Sequence, residues 1–213
     1  NIKDVFEDPR LSSMASRARF TSEMWCAEAI EPFSLLSADQ HKAVLHETMR
    51  EKCNLANDEG IEDAYPCTPL QDGLMAVTIG QPGTYMIKNV FKLSSSIDLA
   101  VFKSAWEQTV AMCRSLRTRI VDISETRVQV VISNDCFWEE GVSCVDSFIT
   151  ASRSFEVGYG TRLSRQAIIQ HGGETYFVHL VHHSVSDGRS MGLVMDTLHS
   201  IYHGLSPEPL GNF

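Results

Sequence analysis

The residues from Tyr176 to Gly192 constrain the fold more than any other part of the chain. They open as an apolar run rich in β-branched and aromatic residues, the pattern of a strand, and pass through the paired imidazoles His182 and His183. The chain then turns polar from Ser184 to Gly188 and enters a segment of helical period from Met191 onward. A strand that hands over to a helix through a short polar loop fixes the side chains of that loop in space. The stretch therefore predicts an α/β arrangement with two histidines held at the handover.

Other segments supply the rest of such a domain. Tyr85, Ile87, Asn89, Phe91 and Leu93 alternate with Met86, Lys88, Val90 and Lys92, which predicts a strand. Asp98 is placed to cap a helix whose apolar face is Leu99, Phe102, Ala105, Trp106, Val110 and Cys113. Residues 116–121 and 127–132 read as a hairpin, and residues 145–155 as a short helix. Residues 163–170 and 174–182 are two strands joined by the tight turn His171-Gly172-Gly173. The last helix is expected from about Ser190 to His203, stopped by Gly204 with Pro207 and Pro209 beyond. Upstream, Ser37-Ala38-Asp39-Gln40 is a capping box that opens a helix to about Lys52, and residues 54–60 form a polar break. Thr68-Pro69-Leu70-Gln71 is a second capping box with proline in first helical position. Strands and helices mixed in this way predict an α/β sandwich.

Composition narrows the function. A chain of 213 residues with 43% hydrophobic content can build one sizeable core or two small ones. A formal charge of -9 without a Lys/Arg cluster argues against nucleic acid, because neutralising phosphates needs concentrated positive charge. Cys26, Cys53, Cys67, Cys113, Cys136 and Cys144 are scattered without a CxxC pair, as expected of reduced structural thiols in a cytoplasmic protein. No apolar run approaches the length of a membrane span.

Three stretches, taken in order, resemble the signatures of one family. Residues 65–74 read YPCTPLQDGL, residues 116–120 read LRTRI, and residues 182–188 spell HHxxxDG. The chain resembles a condensation domain of a nonribosomal peptide synthetase, of fungal type. The resemblance implies a chloramphenicol acetyltransferase-like α/β sandwich lobe, one half of a two-lobed domain with the histidine motif at a tunnel between the lobes. It also implies three segments. Residues 1–18, where Asp8 and Pro9 start a helix carrying Leu11, Met14, Ala15 and Ala18, resemble the C-terminal tail of a peptidyl carrier domain. Residues 19–36 are then a linker, with Trp25, Phe33, Leu35 and Leu36 available for packing, and residues 37–213 the N-terminal lobe. With the second lobe outside the chain, the fragment is expected to fold but to be inactive or nearly so.

The implied chemistry is peptide-bond formation between donor and acceptor thioesters. An amine must lose its proton and an oxyanion must be stabilised, and an imidazole suits the first task. The resemblance assigns it to His183. The helix after the motif would favour the neutral ring through its positive end and offer N–H groups to the oxyanion. Strand alternation points His182 the other way, toward a structural role. Asp187 is implied as a structural aspartate, a helix cap or the ionic partner of an arginine such as Arg117, Arg119 or one in the missing lobe. Gly188 is expected to permit a tight backbone turn. No cofactor or metal is expected to bind directly. The implied partners are upstream and downstream peptidyl carrier domains, whose phosphopantetheine arms bring the substrates, and the C-terminal lobe.

Alternatives remain open at this stage. Epimerising, ester-forming and cyclising domains share HHxxxDG, and a lobe that only docks carriers is a non-enzymatic reading. Gly188-Arg189-Ser190-Met191-Gly192 matches GxSxG, which would make Ser190 the nucleophile of a hydrolase, although the remaining acids and histidines all follow on one helix. His199 and His203 have the spacing of two zinc ligands without an obvious third.

Overall fold

The computed structural model describes residues 8, 10–18, 30–45, 47–55, 60–123, 126–151 and 157–207, and the chain divides into two compact units, residues 1–31 and 32–213. In the first unit α1 (Leu11–Arg17) has Arg10 at its N-cap without a side-chain cap bond. The expected Asp8 cap is not formed. Its carboxylate instead takes the Arg10 guanidinium, through Nε at 2.9 Å and Nη2 at 2.9 Å.

The second unit carries α2 (Ala38–Leu45), α3 (Glu47–Lys52), β1 (Ile61–Pro66), α4 (Pro69–Gly80), β2 (Met86–Leu93) and α5 (Leu99–Met112). A 3₁₀ turn (Arg114–Arg117) then leads to β3 (Thr118–Ile123), β4 (Thr126–Ile132), α6 (Val145–Ala151), β5 (Ser164–His171), β6 (Glu174–His182) and α7 (Gly188–Tyr202). The strands form two antiparallel three-stranded sheets, ordered β1-β4-β3 and β2-β6-β5.

The second sheet positions the site, because β6 is its central strand. β6 is apolar along most of its length because both its faces are buried. Phe177 and Val181 join Phe102, Ala105, Trp106 and Val110 of α5 and Met191, Val194 and Leu198 of α7. Val178 and Leu180 pack on the opposite side with Ala167, Ile169 and Phe148. Phe177 is the hub of the first core, its ring centroid 4.8 Å from Trp106 and 5.1 Å from Phe102 in edge-on contacts. Burying such a ring contributes roughly 2–3 kcal/mol. The β5–β6 turn needs its glycines, since Gly172 and Gly173 have φ of 61° and 79°.

The first sheet packs Ala64, Val121, Ile123, Val128, Val130 and Ile132 on Met49 and Cys53 at the end of α3. Gly160 makes a close approach here: its φ is +79°, and a Cβ would lie 2.0 Å from the Lys52 carbonyl oxygen. Its N–H donates to Ile120 O at 2.7 Å.

Several boundaries differ from expectation. The compact unit begins at Pro32, and Phe33 and Leu36 pack against its second core, so the last residues of the expected linker go with this unit. The helix expected to Lys52 is described as α2 and α3 on either side of residue 46, which lies outside the described residues, as do most of the linker and residues 152–156. β1 was not expected. The last helix starts at Gly188 because Asp187 caps it. Among the described residues no helix is long and apolar enough to cross a membrane.

Candidate active site

His183 stands exposed just past the end of β6. Its backbone N–H donates to Tyr85 O at 2.8 Å, which ties it to the residue preceding β2. Its ring Nδ1 lies 2.8 Å from the carbonyl oxygen of Ser186. A carbonyl can only accept, so Nδ1 carries a proton, and in the neutral ring the lone pair is then on Nε2. The loop that closes back on His183 thus sets which nitrogen is available as a base.

His182 faces the other way and is fully buried. Its Nδ1 accepts from the Ser184 backbone N–H at 3.2 Å and lies 2.7 Å from Ser184 Oγ. Because a backbone N–H can only donate, Nδ1 is unprotonated and Nε2–H donates to Thr78 Oγ1 at 2.8 Å. The Thr78 hydroxyl passes the chain on to Leu74 O at 2.9 Å. Burial, assisted by the neighbouring His183, holds His182 down at about 4, so this ring is a neutral strut. It pins the loop to α4.

Asp187 is the N-cap of α7. Its Oδ1 accepts from Ser190 N at 2.7 Å, and its own N–H donates to Ser190 Oγ at 2.8 Å, a reciprocal capping box. These bonds, foremost the backbone N–H of Ser190, lower its pKa. Neither arginine named from the sequence is its partner. Arg117 is buried and donates to Glu62 Oε2 at 2.7 Å and to the carbonyls of Val110, Ala111 and Ile132. Arg119 pairs with Asp135 at 2.8 Å and also donates to Cys53 O. Both are too deep in the other sheet's surroundings to serve an exposed cap. The Asp187 carboxylate also takes up first-turn N–H groups that were expected to face an oxyanion, so the positive end of α7 is already answered by a negative charge.

Gly188 departs from expectation, and Ser190 decides against the hydrolase alternative. Gly188 is the first helical residue and lacks a positive φ, and a Cβ there would meet nothing within 4 Å. No tight turn requires it. Ser190 is the third residue of a regular helix, its side chain bonded among the described residues only to its cap and, at 3.3 Å, to Ser186 Oγ. A nucleophile elbow needs its serine on the strained turn between strand and helix, so this GxSxG carries no hydrolase geometry. The His199 and His203 rings are tilted at 57° to each other with centroids 4.4 Å apart, and among the described residues no third His, Cys, Asp or Glu completes a metal-binding group with them.

The sequence reading missed Thr78, Ser184 and the Ser186 carbonyl, which orient the two rings. Serine and threonine carry no signal of such a task, and a carbonyl carries none at all.

Comparison with known proteins gives concordant results. A family model described as Condensation domain matches residues 61–210. The nonribosomal peptide synthetase vlms of Lecanicillium sp. is 36% identical over 215 residues, covering 97% of this chain and 2% of that protein. Nonribosomal peptide synthetase 32 of Fusarium pseudograminearum is 36% identical over 212 residues, covering 95% and 2%. The chain therefore spans about 2% of the length of these relatives. The crystal structure of holo T3CT superposes with a TM-score of 0.70 at 21% identity, over 85% of this chain and 43% of that one. The starter condensation domain of rhizomide synthetase RzmA gives 0.57 at 16% identity, over 71% and 43%. The fold is accordingly a chloramphenicol acetyltransferase-like α/β sandwich lobe.

Proposed function

We propose, for a chain that belongs to the Condensation domain family of nonribosomal peptide synthetases, that its HHxxxDG loop handles the amine proton during peptide-bond formation. The α-amine of the acceptor aminoacyl group attacks the carbonyl carbon of the donor thioester. A C–N bond forms, the C–S bond breaks, the amine proton passes to His183 Nε2, and the leaving thiolate takes it up. Both acyl groups arrive on phosphopantetheine arms of an upstream and a downstream carrier domain, and the C-terminal lobe closes the other side of the tunnel. Residues 1–18 are read as the tail of the upstream carrier.

The observation that carries this reading is the Nδ1–H of His183 held on Ser186 O, which leaves Nε2 of this exposed residue without a hydrogen-bond partner among the described residues. His182 cannot take the role, because both its ring nitrogens are engaged inside the protein. The test is single-turnover amide formation in the intact parent module with both carriers preloaded. His183→Ala is expected to lower the rate by about 10²- to 10⁴-fold, and Ser190→Ala to leave it nearly unchanged. Loss confined to the serine variant would overturn the reading. The chemical identity of the product, amide, ester, ring or inverted α-carbon, separates condensation from its sister reactions.

A further inference from the structure

Gln71 is the last residue of the Thr68 capping box, and its side-chain oxygen accepts from the Thr68 N–H at 2.9 Å and lies 3.1 Å from Thr68 Oγ1. Its Nε2 lies 2.7 Å from Gln129 Oε1 on β4 and 2.9 Å from the carbonyl oxygen of Ser184. The backbone partners fix the orientation of the amide, because Thr68 N–H can only donate and Ser184 O can only accept. Both donors and the acceptor oxygen are therefore in use. A single side chain joins the start of α4, the central strand of one sheet and the loop leaving the central strand of the other.

The second of those bonds bears on the site. Ser184 directly follows His183, and it is held on one side by His182 and on the other by Gln71. His183 is held at its own N–H by Tyr85 O. With both flanks fixed, the turn brings Ser186 O under Nδ1.

We propose that Gln71 is a positioning residue for His183, fixing the loop through Ser184 O so that the ring keeps its proton on Nδ1 and its lone pair on Nε2. The kinetic part of this inference rests on His183 being the proton-handling group; the structural part does not.

Gln71→Glu separates the two roles of this residue. Glutamate completes a capping box as well as glutamine does, so the helix start survives. It cannot donate, and while Gln129 can turn its amide to compensate, the Ser184 carbonyl cannot. Thr68→Ala is the complementary variant, since it weakens the cap and leaves the Gln71 donors in place. Three quantities are read: single-turnover rate against carrier concentration in the intact parent module, thermal midpoint, and the ring ¹⁵N shifts of His183 in histidine-labelled protein. For Gln71→Glu the rate constant is expected to fall about 10- to 100-fold, as misplacing a reacting group does, with half-saturating carrier concentration moved less than about two-fold. The His183 ring shifts are expected to move from the Nδ1–H form toward a mixture. Thr68→Ala is expected to lower the thermal midpoint and keep the rate within about three-fold. Unchanged ring shifts in Gln71→Glu, or rate losses that simply track thermal stability in both variants, would overturn the proposal. His183→Ala run alongside keeps the two failures apart: an undiminished rate there sinks the catalytic reading, while the ring shifts still decide what Gln71 does.

Discussion

Acidification should cost this protein stability well before its carboxylates are titrated, and two buried imidazoles set the rate of loss. His179 lies on β6 with no exposed surface, its Nε2 2.9 Å from Ser164 Oγ and its Nδ1 without a partner among the described residues. Burial lowers its pKa from 6.5 to about 3, and His182 from 6.5 to about 4. Both folded values lie below the unfolded ones, so the stabilisation is complete above pH 6.5. It is lost as the pH falls, because the unfolded chain takes up protons that the folded protein refuses. Each imidazole then costs about 1.4 kcal/mol per pH unit, and the two together about 3 kcal/mol per unit between roughly pH 6 and pH 4.5. From pH 6.5 to 4.5 the sum is about 5 kcal/mol, comparable with the whole stability of a marginal domain. Urea unfolding at a series of pH values measures this slope, with tryptophan fluorescence as the signal; the Trp106 ring lies 4.9 Å from that of His179. His179→Gln, which can still reach Ser164 but does not titrate, should halve the slope. A flat stability from pH 7 to 5, or a slope indifferent to the substitution, would refute the reasoning.

Gly160→Ala should destabilise by several kcal/mol or prevent folding, because the new methyl collides with Lys52 O at a left-handed backbone position; a urea midpoint near that of the unsubstituted protein would count against the close approach. Gly188→Ala should keep or raise stability, by up to about 1 kcal/mol, since nothing lies near its Cβ and its φ is ordinary. If amide formation falls in that variant while the urea midpoint holds, the cause is something that approaches from outside this chain. Cys53 and Cys113, buried and with thiols pushed up to about 11 by that burial, should resist iodoacetamide at pH 8 in the folded protein and react after unfolding. Rapid labelling of either under native conditions would contradict the packing around them.

Much of the sheet that positions the site is legible in the sequence, because β5, its glycine turn, β6 and α7 are contiguous and each has a local signal. The capping residues Thr68 and Asp98 also announce their helices, since a cap acts within one turn. β1 escapes because it is an edge strand with Glu62, Asp63 and Pro66 in it. Asp63 is nevertheless buried, accepting from Phe33 N at 2.7 Å and facing Arg114 at 3.4 Å. For Asp187 the sequence leaves a helix cap and an arginine partner both open, because a local cap and a distant ion pair predict the same residue; the structure has the cap. The orientation of His183 is invisible in sequence because it rests on two carbonyls, and the second task of Gln71 lies more than a hundred residues away along the chain.

The order of strands in the second sheet also dictates when the parts meet. β2 is hydrogen-bonded to β6 from Met86–His182 to Leu93–Thr175, with everything between made first. At roughly 5–20 residues per second, a nascent β2 waits on the order of ten seconds for that neighbour. Even in the finished fold, Val90 and Phe91 are 42% and 37% exposed, so the waiting strand is sticky. Lys88 and Lys92 interrupt it, the kind of charge that discourages pairing with the wrong chain, and Lys92 ends up on Glu174 at 2.9 Å. β6 therefore closes the second sheet and delivers His183 in the same event, so a ribosome that stalls before residue 174 leaves behind all strands of the first sheet but neither the second sheet nor the site.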